Sequence, residues 1–433
     1  MALREMFQQA VAAIYHQIET AGPAAYAMSV ETAWEVRSIA GSRHFHEKFV
    51  PRADARHFVQ REWSQLSSLA AVAAFNSALA EAVLATPQRA GGFFDADTDN
   101  QTKRERLLDL LQSTFANLTY AAGPSRPDAA TIERFWQGLN EWLFGETILT
   151  IESAFIGNFT SEVATLDLGE GLRVSKVTDD DLSDWVSEGR RRWGVEAIHN
   201  VDWRIVWEYT ATREEYLHGS KLPSRVDALR LALRLLKPGG LWLRFWQHRS
   251  KHPVVFYGGT RGRDEAPRPR RGNPFRLLAA DEPELRRLLG AILRSNFTFY
   301  SPAKRFEDSY HEVRTSEQLA DLVITLEGLF APEKADAIAY RLAMRAAKLL
   351  ETEKPKREPL FRLFKDVYGL RSKLLHGGEL EHDREAQKTI RKHAVDLWEL
   401  VKRVEELTRR ALRERLYAPE RFTHESLDRM LLE

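Results

Sequence analysis

Arg371 and His376 are the side chains in this sequence best suited to holding a phosphate and moving a proton. A guanidinium stays charged at any relevant pH and offers a planar fork to phosphate oxygens. An imidazole titrates near neutrality and can act as general acid or base. Both lie in the stretch Phe361 to Gly378. Counted in helical steps, Leu360, Phe364, Val367, Arg371 and Leu374 share one face, so Arg371 fills a slot where the pattern wants a hydrophobe. His376 precedes Gly377-Gly378, which read as a helix C-cap, and the negative end of the helix dipole favours its protonated form. Ser372 lies one turn before His376 and could hydrogen-bond it or a phosphate, while Lys373 and Tyr368 are candidates for nucleic-acid contact. The bare spacing has no value, because Arg52 with His57 and Arg213 with His218 repeat it. The same residues admit a structural role, with Arg371 ion-paired to Glu327 and His376 capping the last carbonyls.

Helical geometry constrains the pair. Five residues advance an ideal helix by about 500°, leaving Arg371 and His376 about 140° apart and roughly 7.5 Å apart along the axis. Convergence on one phosphate needs either a loosened helix end or a second protomer that brings its own pair into the same cleft.

Other stretches could also do chemistry. Asp95 to Asn100 resembles the start of a calcium loop but has Asn100 where glycine belongs and Arg106 at the closing glutamate, so it reads as a solvated acidic loop. His44 and His46 have the spacing of a zinc-ligating pair on a strand, without a second pair, and read as exposed histidines. The segment Arg261 to Arg276 is rich in arginine, glycine and proline, and Arg268, Arg270 and Arg271 are its candidates for phosphate contact. No cysteine is present, which excludes disulfides and thiolate catalysis and fits a reducing compartment. No metal site and no cofactor is expected.

The elements that position these groups follow from periodicity. Residues 1–145 read mostly as helix with role unknown, and 146–300 as a mixed α/β domain with a sensory or regulatory role as its candidate function. Strands are expected over Ile148–Ile156, Val163–Leu168, Leu172–Val177, Asp202–Thr210, Leu241–Trp246 and Val254–Tyr257, with a helix from Ser224 to Leu236. Helices are expected from Leu319 to Phe330, from Glu333 to about Thr352, from Glu358 to His376, and without a break from Arg384 to Leu416. Four helices with short connections make an antiparallel bundle over 310–416 economical. The basic end of the fourth (Arg409, Arg410, Arg413, Arg415) is expected to project or to meet a partner, and 417–433 reads as a tail. The fold class is α+β, mainly α. Lys plus Arg (63) balances Asp plus Glu (62), so a nucleic-acid site must be local. With no signal-peptide core and an alanine-rich run at Ser67–Ala85 broken by Asn76, Ser77 and Glu81, a soluble cytoplasmic protein without a membrane partner is expected.

Asp321 to Phe330, an arginine-bearing helix, and then Val367-Tyr368-Gly369-Leu370-Arg371-Ser372-Lys373-Leu374-Leu375-His376-Gly377 together resemble the HEPN domain of the Apea-like type. Phe159 with the turn Leu168-Gly169-Glu170-Gly171-Leu172 is similar to the segment that often precedes such domains. Many HEPN proteins carry Asn, Asp or His directly after the arginine; Ser372 stands there, as in Apea-like members. The resemblance implies a four-helix HEPN bundle and a metal-independent endoribonuclease, often a toxin or abortive-infection effector in antiviral defence. It also implies an RNA substrate, a homodimer through the bundle, and an antitoxin or phage trigger. The alternative it leaves open is a non-catalytic HEPN scaffold that binds RNA or a partner protein.

Overall fold

Short polar side chains start many of the helices. Asp99 accepts from the amides of Gln101 and Thr102, Asp128 from Thr131, Ser224 from Val226, Asp383 from Ala386 and Asp396 from Glu399. Each satisfies an amide that the first helical turn leaves without a partner. The computed structural model describes residues 2–39, 42–85, 99–123, 125–178, 181, 201–212, 215–216, 224–250, 273–295, 297–331 and 337–432. The class is α+β, mainly α. Among the described residues no helix is long and apolar enough to cross a membrane.

The chain divides into two compact units, each assembled from separated segments. The first comprises Met1–Ala154, Gly169–Lys221 and Phe245–Arg263. Its helices are α1 (Leu3–Ala21), α2 (Arg56–Arg61), α3 (Trp63–Leu66), α4 (Ala70–Ala85), α5 (Asn100–Ala122) and α6 (Ala129–Phe144). Phe7 of α1 anchors the core, with its ring 5.5 Å from those of Phe75 and Phe115 and 5.7 Å from that of Trp136. The N-terminal region is not helical throughout: β1 (Ala27–Ile39) and β2 (Ser42–Asp54) form an antiparallel hairpin pairing Glu35 with His46 and Arg37 with His44. Alternation of β-branched and aromatic residues with polar ones over 27–36 is the period-two pattern that favours a strand there.

Five of the strands expected beyond residue 146 are found, as β3 (Thr147–Gly157), β5 (Thr165–Gly169), β6 (Leu172–Lys176), β7 (Trp203–Thr212) and β8 (Trp242–Ser250); two short strands that the sequence reading did not anticipate, β4 (Phe159–Ser161) and β9 (Phe275–Leu277), are present as well. Strands β6, β7, β3 and β8 are neighbours in that order, β6 and β7 pairing antiparallel from Leu172 with Trp207 to Lys176 with Trp203. Gly169, Glu170 and Gly171 all have positive φ, as the expected turn requires. The expected strand Val254–Tyr257, and Asp95 to Thr98 of the acidic loop, lie outside the described residues; Asp99 is occupied as the cap of α5.

The second unit comprises Phe155–Leu168, Leu222–Arg244 and Asp264–Glu433. It contains α7 (Arg225–Leu236), α8 (Glu282–Ser295), α9 (Ser301–Ser309), α10 (Thr315–Phe330), α11 (Ile338–Leu350), α12 (Lys354–Leu375), α13 (Arg384–Arg391), α14 (Leu397–Tyr417) and α15 (His424–Leu432). The last turns of α10 and α12 meet through Glu327 and Arg371. Arg410 of α14 donates to the Leu350 carbonyl at the end of α11 at 2.8 Å. Packing among these helices buries Leu322, Leu326, Ala346, Phe364, Val367, Val401 and Val404.

Three expectations are corrected here. The fourth bundle helix is interrupted at 392–396: Asp396, in extended conformation, caps α14, and His393 in the break is hydrogen-bonded to Asp366 of α12 at 2.8 Å. The basic end of α14 is folded into its own unit. Arg409 is buried and bonded to the Arg234 carbonyl (2.7 Å), Tyr310 (3.0 Å) and Glu405, Arg413 pairs with Glu284 at 2.6 Å, and Arg415 lies over the Tyr300 and Phe422 rings. Residues 417–433 are no bare tail, because α15 buries Leu427 and places Asp428 on Arg345 of α11.

Candidate functional site

The C-terminal half of α12 carries the candidate residues. Leu360, Leu363, Phe364, Val367 and Leu370 are buried and fix the rotation of the helix in the bundle. That rotation directs Arg371 inward, at the edge of the apolar stripe. Its Nη2 lies 3.3 Å from Oε2 of Glu327 on α10, and each side chain keeps 20% of its exposure. The ion pair that the sequence offered as the structural role of Arg371 is thus formed. It is incomplete: Nε of Arg371 and Oε1 of Glu327 are buried and have no partner among the described residues. Burial pushes the Glu327 carboxyl above the usual carboxylate range, and Arg371 opposes the shift without cancelling it.

Gly328, next to Glu327, is a point of close helix approach. A Cβ at Gly328 would stand 2.7 Å from Cγ of Pro302, so the missing side chain lets α9 approach α10 one residue beyond the carboxylate.

The helix ends as Gly377-Gly378 implies. The Gly378 amide donates to the Lys373 carbonyl at 2.9 Å and the Gly377 amide to Leu374 at 3.0 Å, with Gly377 at a φ of 82°. This is the pattern of a left-handed C-terminal cap, which satisfies carbonyls the last turn leaves open. His376 is the cap residue itself, and its amide donates to the Ser372 and Lys373 carbonyls at 3.3 and 3.2 Å. Backbone hydrogen bonding runs up to His376, and among the described residues no hydrogen bond or ion pair links His376 to Arg371. Its ring is on the exposed side of the terminus, whereas the Arg371 fork faces α10.

The other candidates fall differently. Ser372 is half-buried in the same turn, and its carbonyl serves the His376 amide. Lys373 donates to both oxygens of Asp383 at 3.0 and 2.9 Å, and Asp383 caps α13. The Ala386 amide and then Lys373 hold the Asp383 carboxyl below the usual range. Tyr368 is half-buried on α12. Arg268, Arg270 and Arg271 lie outside the described residues. Arg371, Ser372, Lys373 and His376 therefore share one helix end, but its geometry does not bring the guanidinium and the imidazole together.

One polar pair on α12 and in the break at 392–396 escaped the sequence reading. Asp366 and His393 form a half-buried pair at 2.8 Å, with Lys392 at 3.7 Å from the same carboxylate. They are 27 positions apart and separated by a helix boundary, so no periodic signal connects them. Comparison with family models, with curated proteins and with solved structures returned no match.

Proposed function

We propose that the second unit is a metal-independent endoribonuclease of HEPN type that cleaves RNA through attack of its own 2′-hydroxyl, and that it works as a homodimer. The observation that carries this reading is Arg371. It is a cation on an apolar stripe held by one contact, beside a helix end that presents an exposed histidine. Internal cleavage of RNA needs a proton removed from the 2′-hydroxyl, charge balanced on the phosphorane oxygens, and a proton delivered to the 5′-oxygen. Arg371 supplies the charge balance, and Ser372 is placed to hydrogen-bond the phosphate or His376. His376 delivers the proton to the leaving oxygen, and the 2′-hydroxyl proton passes to solvent water. Because the two side chains diverge on one helix, the reading requires a second protomer to complete the site, with the bundles packed so that the helix ends face each other. In a cell such an enzyme acts as a toxin or abortive-infection effector of antiviral defence, held inactive by an antitoxin or until a phage trigger arrives.

A non-catalytic RNA- or protein-binding scaffold is the second reading, favoured by the engagement of Arg371 and Lys373 in intramolecular ion pairs. Purified full-length protein incubated with mixed RNA in EDTA separates them. Cleavage that is lost in His376→Ala, with the oligomer unchanged by light scattering, supports the enzyme. Undiminished cleavage by that variant sinks the assignment, and a gel shift without cleavage supports the scaffold.

A further inference from the structure

A guanidinium facing a carboxylate can make two parallel hydrogen bonds. Arg371 and Glu327 make one contact, and the atoms that would form the second, Nε and Oε1, are each buried without a partner. A desolvated donor and acceptor left open disfavour this arrangement. A phosphodiester has the oxygens to meet Nε and Nη2 of Arg371 together, which the present carboxylate geometry does not. We propose that Glu327 is a resident anion which a phosphate displaces from Arg371, and that the displaced carboxyl takes up one proton from solvent as RNA binds. The inference rests on the ribonuclease reading and adds to it a proton-linked step of substrate admission.

The surroundings of Glu327 leave it dependent on that one cation. Four arginines on the helices packed against α10 are engaged elsewhere. Arg305 of α9 faces Asp321 at 3.6 Å, while Arg345 of α11 is bound to the Phe330 carbonyl and Asp428. Arg409 of α14 is bound to Glu405 and Glu406, and Arg410 to the Leu350 carbonyl. From α12, Arg371 is the charge that bears on Glu327. When the guanidinium turns to a phosphate, the carboxylate remains half-buried without its counter-charge. Burial, which already pushes Glu327 upward, is then unopposed, and the neutral acid is favoured.

The sign is fixed by linkage. A proton taken up on binding makes binding tighter as pH falls, by at most about tenfold per pH unit. The probe is a single-stranded RNA with 2′-O-methyl groups throughout, which can bind but cannot attack its own phosphate. Titration calorimetry of the full-length protein in two buffers of equal pH and different ionisation enthalpy counts the protons directly. His376→Gln serves as background so that the imidazole does not contribute. Uptake approaching one proton is expected there. Uptake near zero, with tighter binding at pH 8, is expected when Glu327→Gln is added, and Glu327→Ala gives the same proton count if the glutamine perturbs the turn. Binding with equal uptake in the presence and absence of Glu327 overturns this inference and leaves the ribonuclease reading standing. Absence of probe binding, together with absence of RNA cleavage by the wild type, overturns both.

Discussion

Replacing Glu307 by Gln should cost the second unit several kcal/mol, because the carboxylate is the shared counter-charge of two buried arginines. Its Oε2 lies 2.7 Å from Nε of Arg230 and 3.0 Å from Nη1 of Arg234, whose side chains keep 9% and 1% of their exposure. Arg234 has an aromatic neighbour, its guanidinium lying 4.3 Å from the Tyr310 ring centroid, but its other bonds are long, at 3.4 Å to the Glu307 carbonyl and 3.5 Å to Leu241. Arg230 has Asp227 at 3.0 Å as a partial substitute. Removing one partner of a buried pair costs about 3–5 kcal/mol. With a urea dependence of about 2–3 kcal/mol per molar, the midpoint should fall by roughly 1.5 M. Urea unfolding with hydrogen exchange resolved over 225–236 and 397–417 localises the loss to this unit. The neutral triple variant Arg230→Met, Arg234→Met and Glu307→Leu should recover most of it, since removing the whole network removes the desolvated charges. The pH dependence has a definite sign. Burial raises the Glu307 carboxyl, but Arg234 and then Arg230 outweigh it and hold it below the usual range. Its contribution is therefore present above the unfolded carboxylate value, near 4.3, and is lost as pH falls through the lower folded value. The gap between wild type and Glu307→Gln should close in acid. A midpoint shift under about 0.3 M at neutral pH, or a gap that widens in acid, refutes the reasoning.

Asp428→Ala removes the carboxylate that Arg345 meets through Nε at 3.0 Å and Nη2 at 2.6 Å, leaving a guanidinium of 1% exposure with the Phe330 carbonyl alone. A loss of about 1–3 kcal/mol is expected, together with faster hydrogen exchange in α15, and intact protection there would count against the clamp. Gly377→Ala forces a side chain into a φ of 82° and should lower stability by about 1 kcal/mol. For a unit of this size that is roughly 2–4 °C in Tm by calorimetry, with Gly377→Asn retaining more; an unchanged Tm would argue against the left-handed cap.

The apolar stripe of α12 was legible because packing imposes a helical period on it: Leu360, Phe364 and Val367 are buried where the count put them, and Arg371 interrupts the series. Glu327 was legible as its partner because α10 shows the same period. The break at 392–396 was not legible, since Ile390, Ala394 and Leu397 keep helical spacing across it. What stops the helix is a local capping choice at Asp396 and a bond from His393 to a residue 27 positions earlier. The fate of Arg409 was hidden for the same reason on a longer scale. Clustered arginines at a helix end read as a solvated terminus. The carbonyl that receives Arg409 belongs to Arg234, 175 positions away, and long-range pairing of this kind leaves no periodic trace.

Burial and hydrogen bonding together separate the arginines of this unit into two kinds. Arg345 and Arg409 are at most 2% exposed, and each guanidinium is held by a carboxylate and a backbone carbonyl. Arg234 leaves its Nε without a partner too, yet at 1% exposure the group is sealed from any ligand, so its cost is borne as part of a structural network. Nε of Arg371 is buried and open as well, but its side chain keeps 20% exposure and its single counter-ion is itself pushed towards neutrality by burial. An arginine needed only for stability would gain from a second bond to the carboxylate it already touches. One that must exchange that carboxylate for a phosphate, as proposed for Arg371, is better served by a contact that can be opened.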